Sequence, residues 1–262
     1  MTKDSEHIEY DDTLVNMLEL IWGDGFLSPG GPQEVARILK GADISGKDVL
    51  DVGCGVGGVD VLLAREHGAR SVLGIDIEQP VLDRCVARAK REGLEDRLSY
   101  QKVDPGPFPF AAGSFDVVFS KDAMIHIPDK AALFSDVYRV LRPGGLFIAS
   151  DWMRRDEDPP SAEMLHYLEM EGLSFGMASQ RQYRNSLVSA GFHDAVVVDH
   201  NAWYRELAHQ ELDQIRGPLW PRMNELLGAE AASRFERTWH ALTVVLDLGE
   251  HRPGHLRAIK SV

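Results

Sequence analysis

Residues 49–58 read VLDVGCGVGG, and this stretch decides the fold. An apolar run from Val49 to Val52, broken by Asp51, leads into four glycines within six residues. Glycine has no Cβ, so it enters φ > 0 without strain and lets another molecule approach the backbone. A glycine turn of this kind, closing a first strand, is where open α/β sheets bind nucleotide-like ligands. The spacing Gly53-x-Gly55-x-x-Gly58 also fits the dinucleotide fingerprint, which on its own is a weak signal. Phosphates held at a helix N-terminus make Asp51 an unhelpful neighbour, which counts against that ligand.

Outward from this turn, strand and helix patterns alternate. Strands are expected at 48–52, 71–76, 98–103, 115–120 and 145–150, with helices at 57–67, 79–92 and 130–141 between them. The last of these helices is expected to end at the turn LRPGG, residues 141–145. Upstream, residues 11–22 and 32–39 have helical periodicity. Downstream, helices fit 161–171 and 179–190, a strand fits Ala195–Asp199, helices fit 205–215 and 228–247, and residues 255–260 form a last strand. Such alternation builds a doubly covered, mostly parallel sheet, the α/β Rossmann-like class. The expected organisation is an N-terminal helical lid (1–40), a core (41–200), a helical cap (201–254) and a closing strand (255–262).

Composition narrows the function. The 262 residues are 44% hydrophobic and 26% charged, which is ordinary for a folded domain. No apolar run approaches the roughly 20 residues a membrane span needs, and no signal-peptide pattern opens the chain. Two cysteines, Cys54 and Cys85, make neither a disulfide framework nor a metal spacing. A cytoplasmic setting is expected, with no membrane and no metal. The net charge of −13 disfavours a nucleic-acid partner, since phosphate backbones are bound by clustered Lys and Arg. A small substrate, and a cationic one in particular, fits this balance.

The strand ends carry the chemistry. Asp76 closes the second strand, twenty-one residues beyond Gly55, where a carboxylate accepts from a ribose diol; Ile77 follows it toward a base. Asp104 and Pro105 follow the third strand, positioned to receive an adenine amine and stiffen the loop beside it. The fourth strand runs into SKDAMIHI, residues 120–127, which places His126 as a base able to titrate near neutrality.

VLDVGCGVGG, with an acid before the glycines, resembles the first motif of S-adenosylmethionine (SAM) dependent methyltransferases. That resemblance implies a class I methyltransferase fold: a seven-stranded, mostly parallel sheet with an antiparallel last strand and a helical cap, with Asp51, Gly53 and Gly55 around the cofactor. A more specific likeness covers most of residues 8–151. Tyr10, the loop FLSPGG (26–31), the glycine motif and SKDAMIHI together resemble the phosphoethanolamine (phosphobase) N-methyltransferases. Tyr10 precedes Phe26 by sixteen residues, the family's spacing. The resemblance implies that Tyr10 closes over the site and pairs with His126, that Leu27, Ser28 and Lys121 contact SAM, and that Asp122 faces the substrate. Tyr167 and Tyr183 fall near family tyrosines of a phosphate pocket, but Leu187 stands where that family has Arg, and VVLDLGEH (244–251) has no Lys where one is expected.

The expected reaction is transfer of a methyl group to the nitrogen of a small amine, yielding S-adenosylhomocysteine. Tyr10, His126 and Asp122 are its candidate catalytic residues, and Asp122, Tyr167 and Tyr183 its candidate acceptor contacts. Three other readings compete: an O- or C-methyltransferase of a small natural product, a non-catalytic SAM-binding protein, and a nicotinamide-dependent oxidoreductase. The sequence leaves the acceptor and the oligomeric state open.

Overall fold

The computed structural model describes residues 10–172 and 175–262, so residues 1–9 of the expected lid lie outside the described residues. Seven strands form one sheet: β1 (Asp48–Val52), β2 (Ser71–Asp76), β3 (Leu98–Lys102), β4 (Phe115–Lys121), β5 (Leu141–Asp151), β6 (His193–Asp199) and β7 (Gly254–Ile259). Their spatial order is β3-β2-β1-β4-β5-β7-β6. The ladders from β3 through β5 are parallel, and β7 runs antiparallel to both β5 and β6. The order reverses between β1 and β4, a crevice that binds ligands in open sheets.

Alternation along the strands assigns the two faces. Leu50 and Val52 on β1, Val118 on β4 and Phe147 on β5 pack with α5 (Lys130–Val140) and α7 (Gln180–Ser189). Val49, Val117, Phe119 and Ile148 face the other way, onto α2 (Gly31–Ile38), α3 (Gly58–Arg65) and α4 (Gln79–Glu92). Both faces being covered explains why these strands read as near-continuous apolar runs. A third cluster stands above the sheet. It joins α1 (Asp12–Trp22), α6 (Ala162–Glu171), α8 (Asn201–Arg216), α9 (Trp220–Leu227) and α10 (Ala229–Asp247) through Met17, Tyr167, Leu212, Met223, Trp239 and Leu242. The cap is therefore assembled from both ends of the chain.

Beyond shifts of up to four residues at element ends, such as α8 opening at Asn201 and β6 at His193, two elements differ from expectation. The strand after α5 begins at Leu141 rather than at 145, yet the LRPGG turn survives inside it. The register jumps from Phe115↔Leu141 to Val117↔Leu146, leaving residues 142–145 looped out with Gly144 at φ +74°. The helix α9 has no counterpart in the expected pattern: it is only eight residues long and opens on Trp220-Pro221. Among the described residues, no helix is long and apolar enough to cross a membrane.

Candidate active site

Two cavities meet above the carboxyl ends of β1 and β4. The larger, about 720 Å³, is lined by Gly53, Gly55, Asp76, Ile77, Asp104, Pro105 and Lys121; the smaller, about 530 Å³, lies under the cap. Tyr10, Leu27, Ser28, Asp122 and His126 line both. Both volumes fall within the roughly 300–1,000 Å³ of small-molecule sites.

The glycine turn forms the floor of the larger cavity. Gly53 sits at φ +74°, and a Cβ there would lie 2.2 Å from that of Ala123, in the segment after β4. Gly55, at φ +54°, faces Leu27, whose Cδ1 would be 3.2 Å from an added Cβ. The backbone is thus held against the space a ligand would enter. Asp76 anchors the turn, its carboxylate accepting from the amides of Gly55 (3.2 Å) and Glu78 (3.1 Å), and burial pushes it up to about 6. Around the rim stand Asp76, Glu78, Asp104, Asp122, Asp129 and Asp136, six carboxylates against two cations, Lys121 and Arg139. Both cations are already paired, Lys121 to Asp122 at 3.0 Å and Arg139 to Asp136 at 2.5 Å. This lining rejects a diphosphate and suits a ligand carrying an ammonium and a sulfonium, so the residues present fit SAM better than a nicotinamide dinucleotide.

The junction of the cavities is tightly built. Asp122 is one of two non-glycine residues with positive φ among those described, at +58°. Such strain persists where surrounding contacts over-determine it, often at functional sites. Here its amide donates to the Ser150 carbonyl (3.0 Å), while its carboxylate accepts from Lys121 Nζ (3.0 Å) and Ser150 Oγ (2.8 Å). Lys121 also donates to Ser28 Oγ and to the Pro29 carbonyl (2.9 Å), which pins the FLSPGG loop across the end of β4. Tyr10 is tethered from the far side, its amide donating to Glu78 at 3.2 Å. His126 closes a short 3₁₀ turn, Met124–His126, and its ring lies 5.6 Å from that of Phe175.

Two expected contacts lie elsewhere. Asp51 lines neither cavity: strand alternation turns it to the α3 side, beneath the glycine turn, against Asp60. Burial and the Asp60 charge hold its carboxyl well above the usual range. Tyr183 is fully buried against β5 and likewise lines neither cavity, while Tyr167 does line the smaller one. The Tyr183 hydroxyl donates to Asp151, whose other oxygen accepts from the Ile125 amide at 3.1 Å. It therefore braces the turn that carries His126 and does not reach an acceptor. Lys130 assists by donating to the carbonyls of Met124 and Ile127, each at 2.6 Å.

The cap cavity holds groups that no motif announced. Trp22, Trp152, Phe175, Phe235 and Trp239 give it aromatic walls, and Asp11, Thr13, Glu171, Arg234 and Thr238 are its polar members beyond Tyr10 and Tyr167 on the cap side. Burial pushes Glu171 up to about 7. Arg234 lines the cavity from an exposed position and forms no ion pair among the described residues.

Comparison with known proteins agrees with this geometry. A family profile described as a methyltransferase domain matches residues 49–145. The chain is 31% identical over 210 residues to phosphoethanolamine N-methyltransferase 1 of Triticum aestivum, covering 80% of this chain and 41% of that protein. It thus spans about two fifths of the length of that curated relative. Among solved structures it is similar to Haemonchus contortus phosphoethanolamine N-methyltransferase 2 in complex with phosphomonomethylethanolamine and S-adenosylhomocysteine. That match has a TM-score of 0.89 and 27% identity, and covers 98% of this chain and 59% of that one. The fold also matches a putative sarcosine dimethylglycine methyltransferase of Galdieria sulphuraria (TM-score 0.82, 20% identity, 96% of this chain and 98% of that one). With its sheet order, its acid-rimmed glycine turn and these similarities, the chain has the Rossmann-like fold of class I SAM-dependent methyltransferases and carries a methyltransferase domain over residues 49–145.

Proposed function

We propose that this protein methylates the nitrogen of a small amine that also carries an anionic group. The observation that carries this reading is the charge layout of the cap cavity. Asp122 and His126 stand where it meets the larger cavity, and Arg234, without an ion-pair partner among the described residues, belongs to the cap. A carboxylate draws an ammonium, and a guanidinium draws a phosphate or carboxylate in a fork geometry. One molecule with both charges satisfies both ends. Glu171, pushed up to about 7 by burial, does not cancel the guanidinium when it is protonated. The likeness to enzymes of phosphobases supports the reading, and Arg234 offers the cation whose family counterparts are missing at Leu187 and in residues 244–251.

SAM, when bound, supplies an electrophilic methyl group on a cationic sulfur, open to in-line displacement. The residues of this chain then have three tasks. Gly53, Gly55, Asp76, Ile77, Asp104 and Pro105 hold the nucleoside, with Leu27, Ser28 and Lys121 closing the methionine side. Tyr10 covers the junction and shields it from water. Asp122 fixes the acceptor ammonium, and His126 or Asp122 takes its proton so that the nitrogen lone pair can attack.

The test is a turnover panel with labelled methyl donor: phosphoethanolamine, glycine and sarcosine against ethanolamine and methylamine. Anionic amines are expected to be used best. Arg234→Ala should raise KM for them by roughly tenfold to a hundredfold, since charge-assisted bonds contribute about 1.5–3 kcal/mol, and leave the amines without an anionic group unchanged. Equal use of both groups by the wild type, with no change in Arg234→Ala, would overturn the anion assignment. An O- or C-methylated product would overturn the amine assignment.

A further inference from the structure

N-methylation of an ammonium releases one proton per methyl group, inside a site closed by the cap. Behind Asp122 the structure holds a line of polar side chains that this reading does not otherwise employ. Ser150 Oγ donates to Asp122 at 2.8 Å. The Tyr204 hydroxyl, on α8, stands beside Ser150 and donates to Glu34 at 2.9 Å. Glu34, on α2, meets His255 Nε2 at 2.5 Å. Ser150, Tyr204 and Glu34 are buried, whereas the His255 side chain is 12% exposed. Asp122, just after β4, and four residues from four elements thus run in single file from the cavity junction to the protein surface. The sheet makes this possible: Ser150 and His255 are direct cross-strand partners on β5 and β7, and Tyr204 and Glu34 pack over that pair.

We propose that Ser150, Tyr204, Glu34 and His255 form a proton exit that carries the proton released at Asp122 to solvent. The proposal rests on the N-methyltransferase reading.

The direction of the chain is consistent with outward flow. Once Asp122 takes the proton from the amine, it becomes a donor to Ser150 Oγ. Ser150 then passes its own hydrogen to the Tyr204 oxygen, Tyr204 passes its hydrogen to the Glu34 carboxylate, and Glu34 gives one to His255. Each step breaks one O–H bond and forms one O–H or, at the last, N–H bond. The net change is one proton moved from the acceptor nitrogen to the His255 imidazole. Tyr204 already donates to Glu34 in the resting structure, so only the hydroxyl of Ser150 must turn.

The surroundings of His255 favour release. Glu34 and Arg37 face it from α2, and Arg37 Nε binds Glu34 at 2.9 Å. The His200 ring lies 4.0 Å away, and its Nδ1 is 3.2 Å from Arg37 Nη2. Burial, the neighbouring His255 and Arg37 together push His200 down to about 4, so it stays neutral beside the exit. Arg252 is paired with Asp199 at 2.5 Å, and Arg257, two residues on along β7, binds the Gly41 carbonyl at 3.3 Å. Among these described groups, His255 alone is a proton acceptor that combines contact with Glu34 and access to water.

The experiment compares wild type, His255→Ala, His255→Gln and Tyr204→Phe in steady-state methylation of the preferred amine from pH 6 to 9, with S-adenosylhomocysteine affinity measured alongside. The expected result for both His255 variants is a fall in kcat on the order of tenfold, unchanged cofactor-product affinity and an altered pH profile. Added imidazole should restore the His255→Ala rate toward wild type. Tyr204→Phe should lose a similar factor and resist imidazole, because the break lies inside the protein. If Tyr204→Phe fails to fold, the two His255 variants decide the matter. Wild-type kcat and pH profile in His255→Ala would overturn the proposal, as would a loss of rate that imidazole does not rescue. Failure of the parent reading looks different: no amine would be methylated by the wild type at all.

Discussion

The two cavities are built in opposite ways. The larger one is made from consecutive strand ends of a single sheet: Gly53 and Gly55 after β1, Asp76 closing β2, Asp104 after β3, Asp122 after β4. The smaller one gathers Met17 and Trp22 from α1, Tyr167 and Glu171 from α6, and Arg234, Thr238 and Trp239 from α10. One side is fixed by backbone topology, the other by side chains packed across more than two hundred residues of chain. A site made of strand ends tolerates little change and keeps one ligand. A site made of helix faces is free to change its acceptor while the fold persists.

Four perturbations would break or sharpen that contrast. The largest effect belongs to the junction, where the two sides meet. His126→Ala is expected to lower kcat by about 10²-fold or more while S-adenosylhomocysteine affinity, read by calorimetry, stays near wild type; wild-type turnover would remove His126 from the chemistry. On the strand-end side, Gly53→Ala forces a Cβ to within 2.2 Å of Ala123 at φ +74°. Left-handed strain alone costs roughly 1–2 kcal/mol, so cofactor-product affinity should fall at least about tenfold, with a lowered melting temperature. Unaltered binding there would mean that the turn is looser than its geometry implies.

Changes in the cap should be smaller and confined to the acceptor. Arg234→Ala is expected to raise KM for anionic amines without weakening cofactor-product binding; a parallel loss of both would show that the two cavities are not separable. The last test concerns stability. Burial pushes Glu211, which accepts from Trp22 Nε1 at 2.8 Å, up to about 7. A carboxyl whose folded value is raised stabilises the protein at pH below its unfolded value near 4.3 and loses that contribution as pH rises through 7. Asp151, at about 7, and Asp60, at about 6, act in the same direction. The ligand-free protein should therefore melt at a lower temperature at pH 8 than at pH 5. Glu211→Gln should flatten that decline by an amount on the order of 2 kcal/mol, and an unchanged slope would assign it to Asp151 and Asp60.

The same contrast explains what could be read from sequence. Strand alternation places Asp76, Asp104 and Asp122 at the ends of successive strands, and a parallel sheet brings such ends together whatever else the chain does. Asp51 lies inside β1 and misled for a local reason. Its side chain follows Val49 to the α3 face, so being close to the turn along the chain does not put it in the cavity. Tyr183 misled at longer range, because its place on α7 matches a phosphate-pocket tyrosine while its hydroxyl is taken by Asp151. Arg234, Glu171 and Glu211 carry no local signal. Each is an ordinary charged residue on an amphipathic helix, and only the packing of α1, α6, α8 and α10 buries Glu211, half-buries Glu171 and leaves Arg234 exposed along the cavity wall. The Glu34–His255 contact joins residues 221 apart in sequence and is invisible to any periodicity.

The most direct measurement is the fate of the methyl carbon. The wild-type protein, incubated with SAM labelled with ¹³C at the methyl group and with phosphoethanolamine or sarcosine, should yield a product whose labelled carbon is bonded to nitrogen by NMR, with one S-adenosylhomocysteine formed per label. Label on oxygen or carbon, or no transfer to any amine by a protein that binds S-adenosylhomocysteine, would contradict the assignment of this site to N-methylation.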